Sequence, residues 1–216
     1  MNPSRIQAKI CGVSTSEAVA AALAGKAGWL GFNFFPPSPR YVTAEAAARL
    51  AAPARGPAKI VAVTVDPTDA ELDEIARVLK PDLIQLHGKE TPARAHAVQA
   101  RTGVEVIKVL SVTDASDIEA ARAFDGAVAH LLFDAKPPKG STLPGGVGAR
   151  FDWTLMSGRR FQRPWFLAGG LDPWNVEEAI RLSGAPAVDV SSGVERGPGL
   201  KDPALIMAFL DAVRRV

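Results

Sequence analysis

Short apolar runs recur along the chain and alternate with longer stretches whose apolar residues are spaced three or four apart. The short runs predict β-strands, and the longer stretches, most of which open on Ser, Thr or Asp, predict capped amphipathic helices. The predicted strands begin near Ile6, Trp29, Ala58, Asp82, Val104, Val128, Pro164 and Ala187. The predicted helices cover 14–23, 43–52, 68–79, 91–101, 114–124, 152–157, 173–183 and 202–216.

This alternation points to a particular fold class. Dividing 216 residues among eight units leaves about 27 for each, enough for a strand, a helix and two short connections. Alternating strands and helices require parallel pairing, and eight such units close into a (β/α)8 TIM barrel. An open doubly wound sheet is the structural alternative. We expect a single (β/α)8 barrel domain over 1–216, with the Pro- and Gly-rich stretch 137–148 as a long loop.

Composition and charge exclude several classes of protein. Lys and Arg number 25 against 23 Asp and Glu, and a net charge of +2 creates no field that gathers nucleic acid. The chain contains no long apolar run, and residues 1–5 lack the apolar core of a signal peptide. One Cys and three scattered His show no metal-ligand spacing. We therefore expect a soluble cytoplasmic protein with a small-molecule partner, no metal, no nucleic acid and no membrane.

Two ionisable residues stand at strand ends, where the active site of such a barrel lies. Cys11 ends the first strand and Asp134 ends the sixth, so the two face each other across the mouth. A thiolate and a carboxylic acid on opposite sides of a ligand form an acid–base pair. The alternatives are that Cys11 is a small buried apolar residue and that Asp134 is a helix cap or a surface charge.

Two loops have the composition of an anion site. Strand seven is followed by A-G-G-L-D-P at 168–173, which contains Gly170, and strand eight by Ser191, Ser192 and Gly193. Glycines allow backbone amides to approach a ligand, and the loops after strands seven and eight commonly bind phosphate in this fold. Tight turns alone are the alternative.

Two further side chains are candidates for ligand contacts. Arg40 lies in a loop with three prolines after the second strand, and a stiff loop can present it as a clamp for a carboxylate. A solvated arginine is the alternative. His87 ends the fourth strand and can donate a hydrogen bond near the mouth, or it is a structural histidine.

Seven short motifs follow one another in an order that resembles the phosphoribosylanthranilate isomerase family. The K-I-C-G start and the D-V-S-S-G-V-E end are specific in combination, although each alone would be weak. The motifs are K-I-C-G at 9–12, G-F at 31–32, S-P-R at 38–40, L-H-G at 86–88, F-D-W at 151–153, L-A-G-G-L at 167–171 and V-D-V-S-S-G-V-E at 188–195.

The resemblance implies a barrel enzyme without cofactor or metal, which acts in tryptophan biosynthesis. Such an enzyme converts N-(5-phosphoribosyl)anthranilate to 1-(2-carboxyphenylamino)-1-deoxyribulose 5-phosphate by an acid–base Amadori rearrangement. Its general base falls on Cys11 and its general acid on Asp134. Arg40 would hold the anthranilate carboxylate, and Gly170, Ser191, Ser192 and Gly193 the phosphate. A base of this kind has to be partly thiolate, so the pKa of Cys11 is expected below about 8.5, with Lys9 as a candidate cause.

The chain departs from the family pattern at two positions. Val147 stands where Thr is common, which affects hydrogen bonding in the glycine-rich loop, and Phe133 stands where Leu is usual, which changes packing. Other phosphosugar isomerases or epimerases on the same barrel, the indole-glycerol-phosphate synthase of the same pathway and a non-catalytic phosphate-ligand binding protein are the alternatives. Both a monomer and a homodimer are compatible with the sequence.

Overall fold

Eight parallel strands form the centre of the molecule. The computed structural model describes residues 6–138, 140–141, 143–146 and 148–216, so residues 1–5 and the departure at Val147 lie outside the described residues. The strands are β1 Gln7–Cys11, β2 Trp29–Asn33, β3 Lys59–Thr64, β4 Leu83–Leu86, β5 Glu105–Val112, β6 His130–Ala135, β7 Trp165–Leu167 and β8 Ala187–Val190. They pair in chain order, and β8 pairs with β1 to close the ring. This closure confirms the barrel and excludes the open sheet.

Helices connect successive strands around the outside of the barrel. They are α1 Ser16–Ala24, α2 Ala44–Ala51, α3 Asp69–Val78, α4 Pro92–Thr102, α5 Ala115–Glu119, α6 Val176–Ser183 and α7 Pro203–Arg214. The polar residues that predicted the helix starts do act as caps. The side chains of Thr15, Thr43, Thr68, Thr91 and Asp114 each accept a hydrogen bond from a backbone amide of the first turn.

The fifth predicted helix is shorter than expected. After α5 the chain continues as a 3₁₀ helix, Ala120–Phe124. The buried residues of this stretch are Ile118, Ala121 and Phe124, which are spaced by three. That spacing places them on one face of a helix with three residues per turn, so the tighter winding buries all of them.

The sixth predicted helix is not an α-helix. Residues 152–157 contain only a 3₁₀ helix, Trp153–Met156, which is followed by Gly158 at φ +70°. A left-handed residue ends the helical winding after a single turn. In addition, a short antiparallel hairpin that the sequence did not indicate, β9 Glu195–Gly197 and β10 Leu200–Lys201, follows β8.

The barrel separates two hydrophobic layers. Alternate strand residues point inward, where Val61, Val63, Ile107 and Phe166 fill the interior, and the others pack outward against the helices. Along β1 this alternation puts Lys9 and Cys11 on the inward face, and Lys9 is fully buried. The last inward residues of several strands therefore converge at the carboxyl ends. In the ranges that the structure describes, no helix is long and apolar enough to cross a membrane.

Candidate active site

Five of the residues predicted for the site line one small cavity at the carboxyl ends of the strands. The cavity measures about 50 Å³, and its walls come from the ends of β1, β3, β4 and β6 together with the loops after β2, β6 and β8. The structure therefore brings together side chains that are far apart in sequence. The predicted residues that line it are Cys11, Arg40, His87, Asp134 and Ser191.

The predicted phosphate loops lie at one side of this cavity. A second cavity of about 30 Å³ is lined by Gly170, Ser191 and Ser192 and shares Asp134 with the first. Gly193 lines a wider groove of about 580 Å³, which Gly170 and Ser192 also border. The eight predicted site residues thus surround three adjoining spaces, and their individual roles remain predictions.

Gly193 allows the loops after β7 and β8 to touch. A Cβ atom at this position would lie 1.9 Å from the carbonyl oxygen of Leu171, a separation that no side chain can have. Arg150 further fixes the loop after β7, since its Nε donates to the Gly170 carbonyl at 3.0 Å and its Nη2 to Asp172 at 2.7 Å. The two loops therefore form one continuous wall.

Cys11 is a buried free thiol next to a buried ion pair. Lys9 Nζ lies 2.7 Å from Asp189 Oδ1, and neither side chain is more than 9% exposed. Burial raises the pKa of Cys11, which outweighs the lowering effect of the neighbouring Lys9 charge, and the Asp189 carboxylate raises this pKa further. The expectation of a lowered pKa is therefore wrong. The expectation took account of the positive charge of Lys9, which lowers the pKa, but not of the loss of water around the thiolate, which raises it more.

Asp134 lies beside His87 at the end of β6. His87 Nε2 is 3.4 Å from Asp134 Oδ2, and the other carboxylate oxygen accepts a hydrogen bond from the Ala135 amide at 2.8 Å. Nε2 is buried and makes no hydrogen bond to any residue that the structure describes. A donor on this nitrogen can serve either the carboxylate or a ligand in the cavity.

Arg40 is held by a carboxylate of the protein itself. Its Nε donates to Glu195 Oε1 at 2.7 Å and its Nη2 to Oε2 at 2.9 Å, while Nη2 also donates to the Gly146 carbonyl at 3.0 Å. The bidentate edge expected for a ligand carboxylate is therefore taken by Glu195. Only Nη1 remains without a hydrogen bond to the described residues, which leaves one end of the guanidinium for a ligand.

The segment 143–146 covers the cavity. A Cβ atom at Gly145 would lie 2.5 Å from Asp134 Oδ2 and 2.7 Å from His87 Cε1, so this backbone rests directly on the two side chains. The hydrogen bond from Arg40 to Gly146 fastens the same segment from the other side. In this arrangement the space around Asp134 is closed to a ligand of substrate size.

Sequence reasoning missed several residues of the site. Asp189 and Glu195 lie within the D-V-S-S-G-V-E motif but received no role. Gln85 lies two residues before His87 and shares its cavity, and its buried Oε1 has no partner among the described residues. Strand alternation was the signal that could have found it. Lys201 had no such signal, because only the β9–β10 hairpin brings it opposite Glu195.

Comparison with known proteins gives a consistent result. The family model for N-(5'phosphoribosyl)anthranilate (PRA) isomerase matches residues 8–212. An N-(5'-phosphoribosyl)anthranilate isomerase from Caulobacter sp. (strain K31) is 65% identical over 212 residues, which cover 98% of this chain and all of the relative.

Solved structures agree with the sequence relatives. The phosphoribosyl anthranilate isomerase of Thermotoga maritima is 32% identical, with a TM-score of 0.87 over 98% of this chain and 100% of the other. A second structure with the same coverage, 30% identical and with a TM-score of 0.82, is of such an isomerase in complex with reduced 1-(o-carboxyphenylamino)-1-deoxyribulose 5-phosphate.

Proposed function

Because the chain belongs to the N-(5'-phosphoribosyl)anthranilate isomerase family, we propose that Cys11 and Asp134 carry the proton transfers of its reaction. The protein is an isomerase of tryptophan biosynthesis. The observation that supports the assignment is that a thiol and a carboxyl from β1 and β6 line one cavity beside two glycine-containing loops. These loops would hold the phosphate at Gly170 and at 191–193.

The first step is opening of the sugar ring. Asp134, as the general acid, donates a proton to the furanose ring oxygen, the C1–O bond breaks, and an iminium ion forms with the anthranilate nitrogen. His87 stabilises the carboxylate that Asp134 becomes, because its Nε2 lies within 3.4 Å of Oδ2. The substrate nitrogen accepts the positive charge, so the ring opens without help from an external electron sink.

The second step is proton abstraction at the sugar. The Cys11 thiolate removes the proton from C2, and the electron pair moves to the nitrogen to give an enolamine, which tautomerises to the ketone. The raised pKa of Cys11 makes the thiolate a minor species at neutral pH and also a stronger base than an ordinary thiolate. Arg40 would hold the anthranilate carboxylate through Nη1 and so orient the substrate.

The test is the loss of substrate fluorescence after the purified protein is added. Cys11→Ala and Asp134→Asn should each lower kcat by about 10²–10⁴-fold, the usual contribution of a general base or acid, while circular dichroism shows a retained fold. Glu74→Gln, a carboxylate-to-amide change at an exposed position of α3, is the matched control and should leave turnover unchanged. Full turnover in Cys11→Ala or Asp134→Asn contradicts that residue's assignment.

Cellular location, domain organisation and oligomeric state complete the proposal. We propose that the chain acts in the cytoplasm as a single barrel domain on a small-molecule substrate, as a monomer or a homodimer. The homodimer has support from a relative, since the Thermotoga maritima enzyme is described as a dimeric isomerase. Sedimentation equilibrium of the purified chain distinguishes the two states.

A further inference from the structure

A chain of buried charges runs behind Arg40, and it includes two residues outside the proposed proton transfers. Glu195 binds Arg40 through both carboxylate oxygens, and Lys201 Nζ lies 2.6 Å from Glu195 Oε1. The Glu195 side chain is 4% exposed and that of Lys201 is fully buried. We propose that Glu195 is a positioning residue that aims Arg40 at the substrate carboxylate, with Lys201 holding Glu195 in place. This inference rests on the proposed function.

The geometry of the guanidinium gives Glu195 this role. An arginine side chain carries five N–H groups in a fixed plane. Glu195 occupies the edge made by Nε and Nη2, and Gly146 takes the second N–H of Nη2. Among the described residues, no acceptor takes the pair of N–H groups on Nη1, which lie next to Gly146 and are left for a ligand. Glu195 thereby decides which end of Arg40 meets a ligand.

The charges of the cluster favour an anionic ligand. One carboxylate is shared by two basic side chains, Arg40 and Lys201. Burial lowers the pKa of Lys201 below its ordinary value, although the charge and hydrogen bond of Glu195 oppose this, so the permanently charged Arg40 supplies the positive charge that the group presents. Burial by itself would raise the pKa of Glu195, but the hydrogen bonds and charges of Arg40 and Lys201 lower it below its ordinary value. Glu195 is thus anionic at neutral pH, and the charge of Arg40 is available to the substrate.

Lys201 connects this cluster to the loop after β8. Its Nζ donates to the carbonyl oxygen of Ser191 at 2.9 Å, and the Ser191 hydroxyl in turn donates to the carbonyl oxygen of Cys11 at 3.2 Å. The hairpin places Lys201 directly opposite Glu195 in its register. The same short hairpin therefore fixes the carboxylate end of the site relative to the phosphate loop and the base.

The experiment compares two ligands in titrations with the wild-type protein and with Glu195→Gln. One is reduced 1-(o-carboxyphenylamino)-1-deoxyribulose 5-phosphate, and the other is its counterpart without the carboxylate. Glu195→Gln should weaken binding of the first by about tenfold or more and of the second by less than about threefold, because only the first needs Arg40. KM should rise by a similar factor, with kcat changed much less.

Variants separate positioning from general damage. When Arg40 is already replaced by Ala, Glu195→Gln should not weaken binding of the ligand with the carboxylate any further. The effects of two substitutions are not additive when both remove the same contact. Glu195→Asp keeps the charge and should recover part of the affinity. Glu177→Gln is the matched control, because Glu177 also binds two arginines but lines none of the three spaces described.

Three outcomes overturn the inference, and the third is distinguishable from the other two. Equal weakening of both ligands, or full additivity with Arg40→Ala, shows that Glu195 has only a structural role. Equal binding of both ligands by the wild-type protein shows that Arg40 does not recognise the carboxylate, which removes the clamp from the proposed function as well. Should Glu195→Gln fail to fold, the same two ligands are titrated with Glu195→Asp, because a shortened carboxylate also misplaces Arg40. Selective weakening of the ligand with the carboxylate then supports the inference, and equal weakening of both ligands contradicts it.

Discussion

At the scale of single residues, the thiol of Cys11 is controlled by opposing influences. Desolvation and the Asp189 carboxylate raise its pKa, and the ammonium groups of Lys9 and Lys201 lower it without prevailing. The balance is set within the barrel interior, where a charge has little water to stabilise it. Chemistry at this site thus depends on how completely the surrounding side chains exclude water.

The first residue-scale prediction concerns pH. A base acts when deprotonated, and the pKa of Cys11 lies above its ordinary value, so its thiolate fraction rises with pH throughout the range from 6 to 8. The contribution of this group to kcat/KM should therefore rise by about tenfold per pH unit in that range. The rate of iodoacetamide alkylation of Cys11 should follow the same slope. A plateau of the alkylation rate below pH 8 would contradict the raised pKa.

The second residue-scale prediction concerns the wall between the phosphate loops. Gly193→Ala would force a Cβ atom against the Leu171 carbonyl and separate the loops, so KM should rise by about tenfold or more while kcat changes little. Gly197→Ala is the matched control in the adjacent hairpin, because its new Cβ would have its nearest neighbour at 3.8 Å. Steady-state kinetics of both variants measure the change in KM. An unchanged KM in Gly193→Ala would contradict the assignment of these loops as the phosphate-binding site.

At the scale of elements, the strands supply the reacting groups and the loops supply their enclosure. The segment 143–146 rests on Asp134 and is held by Arg40, while Arg150 fixes the wall after β7. The cavity beneath the segment 143–146 has a volume of about 50 Å³, far less than the several hundred Å³ of an ordinary ligand pocket. We therefore expect substrate entry to require an outward movement and return of this segment.

A substitution at Gly145 tests that requirement. Gly145→Ala adds a Cβ atom at 2.5 Å from the Asp134 carboxylate, so the segment can no longer settle onto the acid. We expect kcat to fall by about tenfold or more, because ring opening then occurs with water at the acid. Stopped-flow fluorescence separates binding from turnover. Wild-type kcat in this variant would show that the segment does not have to close.

At the scale of the whole molecule, a buried ion pair joins the first strand to the last. Lys9 is paired with Asp189 across the β1–β8 junction that closes the barrel. Burial would lower the pKa of Lys9, but the charges of Asp189 and Cys11 raise it above its ordinary value of 10.5. The ion pair therefore stabilises the fold fully below pH 10.5, and its contribution to the free energy of unfolding is lost as the pH rises through the pKa that Lys9 has in the folded protein.

Removal of Lys9 should destabilise the barrel. Lys9→Met leaves Asp189 buried without its partner, so the free energy of unfolding at pH 7 should fall by about 3–5 kcal/mol in urea titrations. Arg181→Ala, which removes an exposed partner of Glu177 on α6, is the control and should cost about 0–1 kcal/mol. The difference in the free energy of unfolding between Lys9→Met and the wild-type protein should become smaller above pH 10.5. An unchanged urea midpoint in Lys9→Met would contradict a stabilising pair.

The sequence by itself determined the alternation of strands and helices, the places of the eight strands and of the helix caps, and the set of strand ends at which chemistry is possible, and it favoured a barrel over an open sheet. These follow from local signals, because burial periodicity and capping act over a few residues, whereas the pairing of β8 with β1 that closes the barrel is a tertiary contact. Only the tertiary structure decided that Glu195 takes the edge of Arg40, that Lys201 joins them and that Cys11 is desolvated. The contact between Arg40 and Glu195 joins residues 155 positions apart, and the energies of all these arrangements depend on packing and exclusion of water, which no local pattern records.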